Sequence, residues 1–384
     1  MIILAAVFAI IFSGGVFAAQ SDGEQLTENI QSIIDGLDLE ELQDYLDEYA
    51  GDILSSYGSD AAEVIEYLIS GDLGVDYSDY VGQLFSKIFE GVVALVPVFA
   101  QIIAISILCS LCSGAEDGLL KKTTASTVRL ACMSLIVLIL SAVIVGIMAD
   151  TVASVERLKK QVEIISPILI TLTVLTGGSA TGAVFQPTAI FLSGGAIEIL
   201  NGIIFPCTIA VVVLNFMSRL NPSMSFTGVA SLIKSVMKWV IGITVAVFGI
   251  FLTVQSGASS LFNGIFFKIT KYLVGNSVPI VGNFLSAGID MIVMAGSIVR
   301  SSVGVLGICL LVGEVIKPLV LVGAFSLMLK LTGAIVQPLG DGKIHSLYFD
   351  LSKDVEYVIA GILMISFMYL IVIMAIANSI QSFI

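Results

Sequence analysis

The chain has 384 residues, of which 57% are hydrophobic and only 12% are charged, and its formal net charge is −13. Soluble domains carry about 25% charged residues, so this composition excludes an ordinary soluble protein and predicts an all-α, polytopic helical membrane protein. Residues 19–80 hold 17 of the 30 acidic residues and no Lys or Arg. Such an acidic segment is repelled by nucleic acid, and we expect no nucleic-acid binding.

The first residues predict an export signal. Residues 1–18 are apolar and end in Val16-Phe17-Ala18, which places small residues where signal peptidase requires them. We therefore expect a signal peptide at residues 1–19 and export of the segment that follows it. The basic residues that usually precede such an apolar core are missing, so an uncleaved anchor is the alternative.

Residues 20–90 predict a small acidic region of short amphipathic helices on the extracytoplasmic side. One helix is expected at Asp38, with Glu41 three residues later, and another at Asp60, with Glu63 in the same relation. Apolar residues follow with helical spacing, namely Leu39, Leu42, Leu46, Tyr49 and Ile53 in the first helix and Val64, Ile65 and Leu68 in the second. So small a domain is marginal on its own. We expect it either to dock on the membrane part or a partner, or to form a solvated leader without a specific role.

Residues 91–384 predict a transmembrane domain with six to eight spans, because a spanning helix needs about 20 mostly apolar residues. Uncharged runs of about this length occur at 91–112, 130–149, 164–197, 199–218, 239–267, 272–289 and 357–384, and a similar run at 301–329 contains two charges. Residues 164–217 are too long for one span and are divided by Gly and Pro. We expect a helix there, followed by a broken or re-entrant pair.

Basic residues orient these spans. Lys121, Lys122 and Arg129 follow the first span, so the loop after it is expected in the cytoplasm, in agreement with an exported N-terminus. Residues 258–277 carry Lys268 on an amphipathic pattern and predict a helix that lies along the membrane interface.

Two segments of the chain repeat each other without a gap. Residues 163–187 and 314–338 share eight identical positions, among them a Glu, two Pro, a Gln and a Thr-Gly-Ala triplet. Duplicated apolar segments that Gly and Pro break at corresponding places are typical of transporter folds. We therefore predict an internal duplication, parallel or inverted, whose copies line a central site or pore. Chance similarity between two aliphatic helices is the alternative.

Polar residues inside the predicted spans are the candidate pore or transport residues, because ionisable groups are costly in lipid. They are Glu198, Asp290, Glu314 and Lys317, with Gln186-Pro187 and Gln337-Pro338 at the ends of the two copies. Glu314 and Lys317 lie one helical turn apart and are expected to pair. The structural alternatives are a self-satisfied pair for these two, a helix end near the interface for Glu198, an interfacial position for Asp290, and internally satisfied helix breaks for the Gln-Pro pairs.

Residues typical of catalysis are missing from the sequence. His345 is the sole histidine and is expected in a polar loop, with no second His or Cys to complete a metal site. Gly340-Asp-Gly-Lys343 lacks the spacing of a phosphate-binding loop. Cys109 and Cys112 have CxxC spacing, but within a predicted membrane helix rather than a soluble redox fold. We expect no enzymatic activity and no cofactor, and any ATPase must be a separate protein.

Several motifs, taken in order, resemble those of a known family. They are the Gly-rich segment ending at Pro187, Val254-Gln-Ser256, Gly275-Asn-Ser-Val-Pro-Ile-Val-Gly282, Val303-Gly-Val-Leu-Gly307 and Gln337-Pro-Leu-Gly-Asp-Gly342. Together with the signal-like start and the acidic leader, this set resembles stage III sporulation protein AE of endospore-forming bacteria, over about residues 90–384.

The resemblance implies a non-enzymatic component of a channel or secretion-like complex in the mother-cell membrane, facing the forespore. It implies as partners other stage III sporulation membrane proteins, including a separate ATPase and extracytoplasmic ring-forming proteins. The chain itself would be a permease-like pore or transport core in the lipid bilayer. Two alternatives stay open, namely a stand-alone secondary transporter of a small solute and a membrane scaffold that seats the ring and the ATPase.

Overall fold

The computed structural model describes residues 23–50, 60–70, 77–114, 122–176, 194–220, 225–251, 281–339 and 342–377. Within these ranges the chain is helical and contains no strand, which confirms the predicted all-α class. The helices are α1 (Gly23–Asp35), α2 (Glu40–Tyr45), α3 (Ala61–Ser70), α4 (Tyr77–Gly114), α5 (Lys122–Leu175), α6 (Gly194–Leu220), α7 (Thr227–Phe251), α8 (Val281–Val336) and α9 (Gly342–Ala377). A π-helical turn, Leu46–Ala50, follows α2, a second one, Leu200–Ile204, lies within α6, and the 3-10 turn Gln337–Leu339 follows α8.

Six helices in the described part of the chain, α4 to α9, are long and apolar enough to cross a membrane. This number lies within the predicted six to eight spans. α4 begins at Tyr77 and runs without a break across the boundary that the sequence placed at residue 90. The predicted signal peptide (1–19) and the interfacial helix (258–277) lie outside the described residues.

α5 and α8 are much longer than a bilayer is thick. They contain 54 and 56 residues, or about 80 Å of helix each, whereas the hydrocarbon core measures about 30 Å. The prediction of separate helices at 130–149 and from 164 onwards is therefore wrong, and so is the separation of 272–289 from 301–329. The charged stretch 150–163 contains no Gly or Pro that would end a helix, and several of its charges are neutralised by neighbouring helices.

The side chains around α5 show which of its halves lies in the bilayer. In the N-terminal half, Leu130, Leu138 and Val145 are largely exposed, as expected for a surface that lipid covers. The C-terminal half contacts α2, while α1 and α3 pack on α8. The exposed surface of α2 and its π-helical turn carries Glu40, Glu41, Asp44, Asp47 and Glu48, which excludes lipid there. We call the two parts the membrane layer and the distal layer. The distal layer comprises α1 to α3, residues 157–176 and residues 296–314.

The acidic region forms the short helices that the sequence predicts. The Asp60 carboxylate accepts a hydrogen bond from the N–H of Glu63 at 2.8 Å and caps α3, whose Val64 and Ile65 are buried. At α2 the predicted cap at Asp38 is wrong, since Leu39 is the N-cap residue and no side-chain capping bond is made. The carboxylate of Asp38 accepts from the N–H of Glu40 at 3.4 Å, because the helix begins at that residue.

The two copies of the predicted repeat run in opposite directions. α5 and α8 pack antiparallel, as shown by the contacts of Arg157 with Glu314, of Gln161 with the carbonyl of Gly307, and of Arg300 with Thr176. Residues 163–176 of the first copy lead into the distal layer, and the second copy leads from residue 314 into the membrane layer. The described parts of the two segments are thus antiparallel, and the duplication itself stays a prediction. Residues 177–187 of the first copy lie outside the described residues.

Candidate functional site

Glu314 pairs with an arginine of another helix rather than with Lys317. Nε of Arg157 donates to Oε2 of Glu314 at 2.8 Å, and the Glu314 side chain is only 13% exposed. Lys317 lies exposed on the next turn of α8. The predicted pairing of Glu314 with Lys317 is therefore corrected, because the antiparallel α5 brings a guanidinium directly to the carboxylate. This ion pair lies where the membrane layer meets the distal layer.

Two tyrosines of the acidic region cover the Arg157–Glu314 pair. The ring of Tyr49 lies 5.8 Å from the Arg157 guanidinium, and its hydroxyl accepts a hydrogen bond from Lys160 at 3.1 Å. The buried Tyr45 ring lies 5.1 Å from that of Tyr49. Burial raises the pKa of Tyr45 above its usual range, and the negative charge of Glu314 raises it further. The acidic region is therefore docked on the long helices, which is one of the two alternatives that the sequence left open.

Glu198 lies near the start of α6 and is 64% exposed. Its carboxylate accepts a hydrogen bond from Nζ of Lys159 at 2.6 Å, and Asn201 nearby donates to Glu156 at 3.2 Å. Both partners belong to the charged stretch of α5. Glu198 is thus an exposed carboxylate that is paired with a cation of another helix.

Among the remaining candidates whose side chains the structure describes, Gln337 and Pro338 do not come together with Glu314. Gln337 and Pro338 are exposed in the 3-10 turn after α8, about 35 Å along the helix from Glu314. Asp290 belongs to α8, but its side chain is not among those described, and Gln186-Pro187 lies outside the described residues. His345 is corrected from a loop to a helix, since α9 begins at Gly342 and the imidazole packs 4.7 Å from the ring of Phe349.

The membrane layer contains a buried charge that the sequence reading missed. The side chain of Asp354 in α9 is 0% exposed, and Nζ of Lys234 in α7 lies 2.5 Å from its Oδ1. The amide of Asn215 in α6 donates to its other carboxylate oxygen. Three spanning helices therefore meet at one carboxylate. Because an isolated carboxylate is very unfavourable in lipid, these two donors are what makes its burial tolerable.

A second ion pair lies one turn away on the same face of α9. Nη2 of Arg219 donates to Oδ2 of Asp350 at 2.6 Å, and Nη1 donates to the hydroxyl of Ser346 at the same distance. Ser346, Asp350 and Asp354 are spaced by four residues and therefore share one face of the helix. We call these three residues and their partners Asn215, Arg219 and Lys234 the polar stripe. Two carboxylates are matched by two cations, so the stripe is neutral as a whole.

Comparison with known proteins decides the family. The family model described as stage III sporulation protein AE matches residues 59–379. This chain belongs to that family. Stage III sporulation protein AE of Bacillus subtilis (strain 168) is 25% identical over 332 residues, which cover 85% of this chain and 83% of the relative. No solved structure matches the chain.

The family match includes the polar stripe and α4 to α9, the six helices of the described part that can span a membrane. It leaves out α1 and α2, so the tyrosines that cover the Arg157–Glu314 pair lie outside the matched residues. Among the described residues, no group of three or more His, Cys, Asp or Glu side chains is placed to hold a metal ion. The described residues of the membrane layer include paired charges and hydrogen-bonding groups.

The sequence did contain a signal for the polar stripe. Asp350 and Asp354 are four residues apart at the start of a long apolar stretch, and Lys234 stands in an apolar context four residues before Lys238. Asp350, Asp354 and Lys234 were not predicted as membrane residues, because spans were defined as uncharged runs. That criterion began the last span at residue 357 and the span of α7 at Trp239, so charges that neutralise each other between helices were excluded from the membrane.

Proposed function

We propose that this chain is the membrane-embedded transport core of a channel or secretion-like complex that acts between mother cell and forespore. Its family and its six helices long enough to span a membrane support a multi-pass sporulation membrane protein. The observation that carries the transport role is the polar stripe. Charged groups in the middle of a membrane protein face a bundle interior or a solute path, and they usually mark sites of function.

In this proposal the chain is not an enzyme. A separate ATPase supplies the energy, and ring-forming extracytoplasmic proteins continue the path beyond the membrane. The chain lies in the mother-cell membrane with its distal layer towards the forespore. The acidic surface of α2, which Glu40, Glu41 and Asp44 form, suits a basic extracytoplasmic partner.

The transport role is tested by replacing Asp354 with Asn in a sporulating host. The variant keeps the size of the side chain and a carbonyl acceptor for Lys234, but it removes the negative charge. We expect the yield of heat-resistant spores to collapse while immunoblots show a normal protein level. The matched control is Lys159→Gln, which removes one charge from the exposed pair with Glu198, and its yield should stay normal.

Membership in a complex needs a separate experiment. Membranes of sporulating cells are cross-linked, the tagged chain is captured, and the captured proteins are identified by mass spectrometry. We expect the ATPase and the ring-forming proteins to be enriched over a capture with an unrelated multi-pass protein. If the chain is recovered without them, and vesicles that contain it alone take up a solute, the stand-alone transporter replaces the complex.

A scaffold role is the second candidate, and the docked acidic region favours it. Tyr49 fixes this region to Arg157 and Lys160, so the distal layer offers a preformed helical surface for other proteins. A scaffold predicts normal spore yield for Asp354→Asn and loss of assembly when residues 23–50 are deleted. The transport core predicts the opposite result for Asp354→Asn.

A further inference from the structure

The polar stripe is partly exposed at one end and fully buried at the other. Asp350 lies nearer the start of α9 and its side chain is 39% exposed, whereas the side chain of Asp354 is 0% exposed. The next residues on this face of α9 are Val358 and Gly361, four and seven positions beyond Asp354. Val358 is buried. The stripe therefore ends at Asp354, and the same face of α9 continues as an apolar surface towards the distal layer.

Leu200 of α6 fills the notch that Gly361 leaves in this surface. A Cβ atom at Gly361 would overlap the Leu200 side chain, and it would lie 3.7 Å from Cγ2 of Ile204. Leu200 and Ile204 are themselves fully buried. Glycine at this position therefore lets the leucine approach the backbone of α9, about 10 Å along the helix from Asp354.

Leu200 begins a turn of wider helix, and the proline that follows explains the widening. The N–H of Phe205 donates to the carbonyl of Leu200 five residues earlier, as in a π-helix. Pro206 has no N–H and cannot donate to the carbonyl of Gly202, as this position would do in a regular α-helix. The regular hydrogen bonding of α6 is thus interrupted at this turn, and helices bend at such interruptions.

The two ends of α6 are held by different helices. Before the π-helical turn, Glu198 is paired with Lys159 of α5. After the turn, Arg219 is paired with Asp350 of α9. A displacement of α5 relative to α9 is therefore taken up at the turn that carries Leu200, because the hydrogen bonding is weakest there.

We propose that Leu200 is the gate of the polar stripe. Seated against Gly361, it separates Asp354 from the distal layer, and the π-helical turn is the joint on which it moves aside. An apolar constriction of this kind keeps water and ions out of a path because it stays dry. This gate rests on the transport role proposed for the polar stripe, since a seal is needed only where a path runs.

The first test measures leakage through the purified full chain in lipid vesicles. The vesicles are loaded with potassium chloride, an uncoupler balances the charge, and an electrode follows the release of potassium. Leu200→Ala removes most of the side chain that fills the notch. We expect potassium release to become at least about tenfold faster than with the wild-type chain, because an opened apolar constriction fills with water.

Moving the apolar bulk to the other helix gives the decisive result. Leu200→Ala removes as many side-chain carbon atoms as Gly361→Val adds, and a Cβ at Gly361 would occupy the space that the leucine side chain leaves. The double variant should therefore return potassium release to near the wild-type rate. A leucine that only supported the fold would not link closure of the path to the side chain at position 361 in this way.

Two controls separate the gate from other effects of a shortened side chain. Ile203→Ala changes an exposed residue of the same π-helical turn, and Ile102→Ala creates a cavity at a buried position of α4. Both variants should release potassium at the wild-type rate. Helix content and a single symmetric peak in size-exclusion chromatography are compared for every variant. If Leu200→Ala misfolds, Leu200→Val replaces it and should still speed the release.

The joint is tested by hydrogen exchange of the backbone amides in the same vesicles. Amides within residues 202–208 should exchange at least about tenfold faster than those within 210–216 of the same helix, because opening there breaks fewer regular hydrogen bonds. Pro206→Ala supplies the missing N–H and should slow the exchange of the turn. Equal exchange in the two segments of the wild-type chain would show that the turn is not a joint.

The gate is overturned if a folded Leu200→Ala chain releases potassium no faster than the wild type, if Ile102→Ala leaks as much, or if the double variant stays leaky. These results are independent of the spore assay on Asp354→Asn. A leak with Leu200→Ala and normal spores with Asp354→Asn would keep the gated path and refute its role in sporulation. Loss of spores with Asp354→Asn and no leak with Leu200→Ala would keep the transport role and refute the gate.

Discussion

Breaking the pair of Asp354 and Lys234 should destabilise the bundle much more than removing the whole pair. The first perturbation is Asp354→Leu, which leaves the Lys234 ammonium and the Asn215 amide without their carboxylate. The second is Lys234→Met, which leaves a fully buried carboxylate with only the Asn215 amide. The third combines both changes and replaces the ion pair by two apolar side chains of similar size.

The exposed fractions set the expected magnitudes. Removing one partner of a buried pair costs about 3–5 kcal/mol. Asp354→Leu belongs at the lower end, because the remaining Lys234 is 24% exposed, and Lys234→Met belongs higher, because Asp354 is 0% exposed. A well-packed apolar replacement of both partners is often close to neutral. We therefore expect the double variant to be more stable than either single variant, with a coupling of at least about 2 kcal/mol.

The assay is unfolding of the purified chain by a denaturing detergent, followed by far-ultraviolet circular dichroism. Lys159→Met serves as the control, because it removes an exposed ion pair and should change the free energy of unfolding by at most about 1 kcal/mol. The reasoning is refuted if the losses of the two single variants simply add in the double variant. Additivity would mean that the two groups do not depend on each other for their burial.

Three further predictions concern the other contacts. Glu314→Gln keeps an acceptor for Arg157 and should cost about 1 kcal/mol in the same unfolding assay, with spore yield near the wild-type value. A collapse in yield at normal protein level would instead assign Glu314 a role in transport. Tyr45→Phe should leave the free energy of unfolding unchanged or raise it by about 1 kcal/mol, because the buried hydroxyl has no hydrogen-bond partner among the described residues. A clear loss would reveal one. Gly361→Val should lower stability by about 1–3 kcal/mol, because even a Cβ at this position would overlap the buried Leu200 of α6. Unchanged unfolding would show that the Leu200 side chain can turn away.

Properties that depend on local composition were predictable from the sequence. The all-α, multi-pass class follows from residue content alone, because lipid requires every backbone group to be paired within the helix. The cap at Asp60 follows from the spacing of a short acidic side chain before a helical pattern. The family was recognisable from motifs distributed over most of the chain, and the match over residues 59–379 confirms it.

Properties that depend on neighbours in space were not predictable. Glu314 was assigned to Lys317 because the sequence shows only partners on the same helix, whereas its actual partner, Arg157, is 157 residues away. The continuity of α5 was missed for a similar reason. The charged middle of α5 has the composition of a loop. Its three cations pair with Glu48, Glu198 and Glu314, and the sequence does not reveal these ion pairs.

The length of α5 gives the two layers a mechanical connection. Beyond Arg157 the helix continues for about 27 Å into the distal layer. Pro167 lies within this arm, and residues 150–163, which join it to the part of α5 that lies in the bilayer, contain no Gly or Pro. A tilt of about 10° in the bilayer would displace the far end of such an arm by about 5 Å. α8 runs alongside α5 in the opposite direction, and the ion pair of Arg157 with Glu314 links the two helices. We therefore expect the two helices to move together. α8 also packs along α9, the helix that carries Asp354, so we expect a displacement of the distal layer to move the surroundings of this carboxylate.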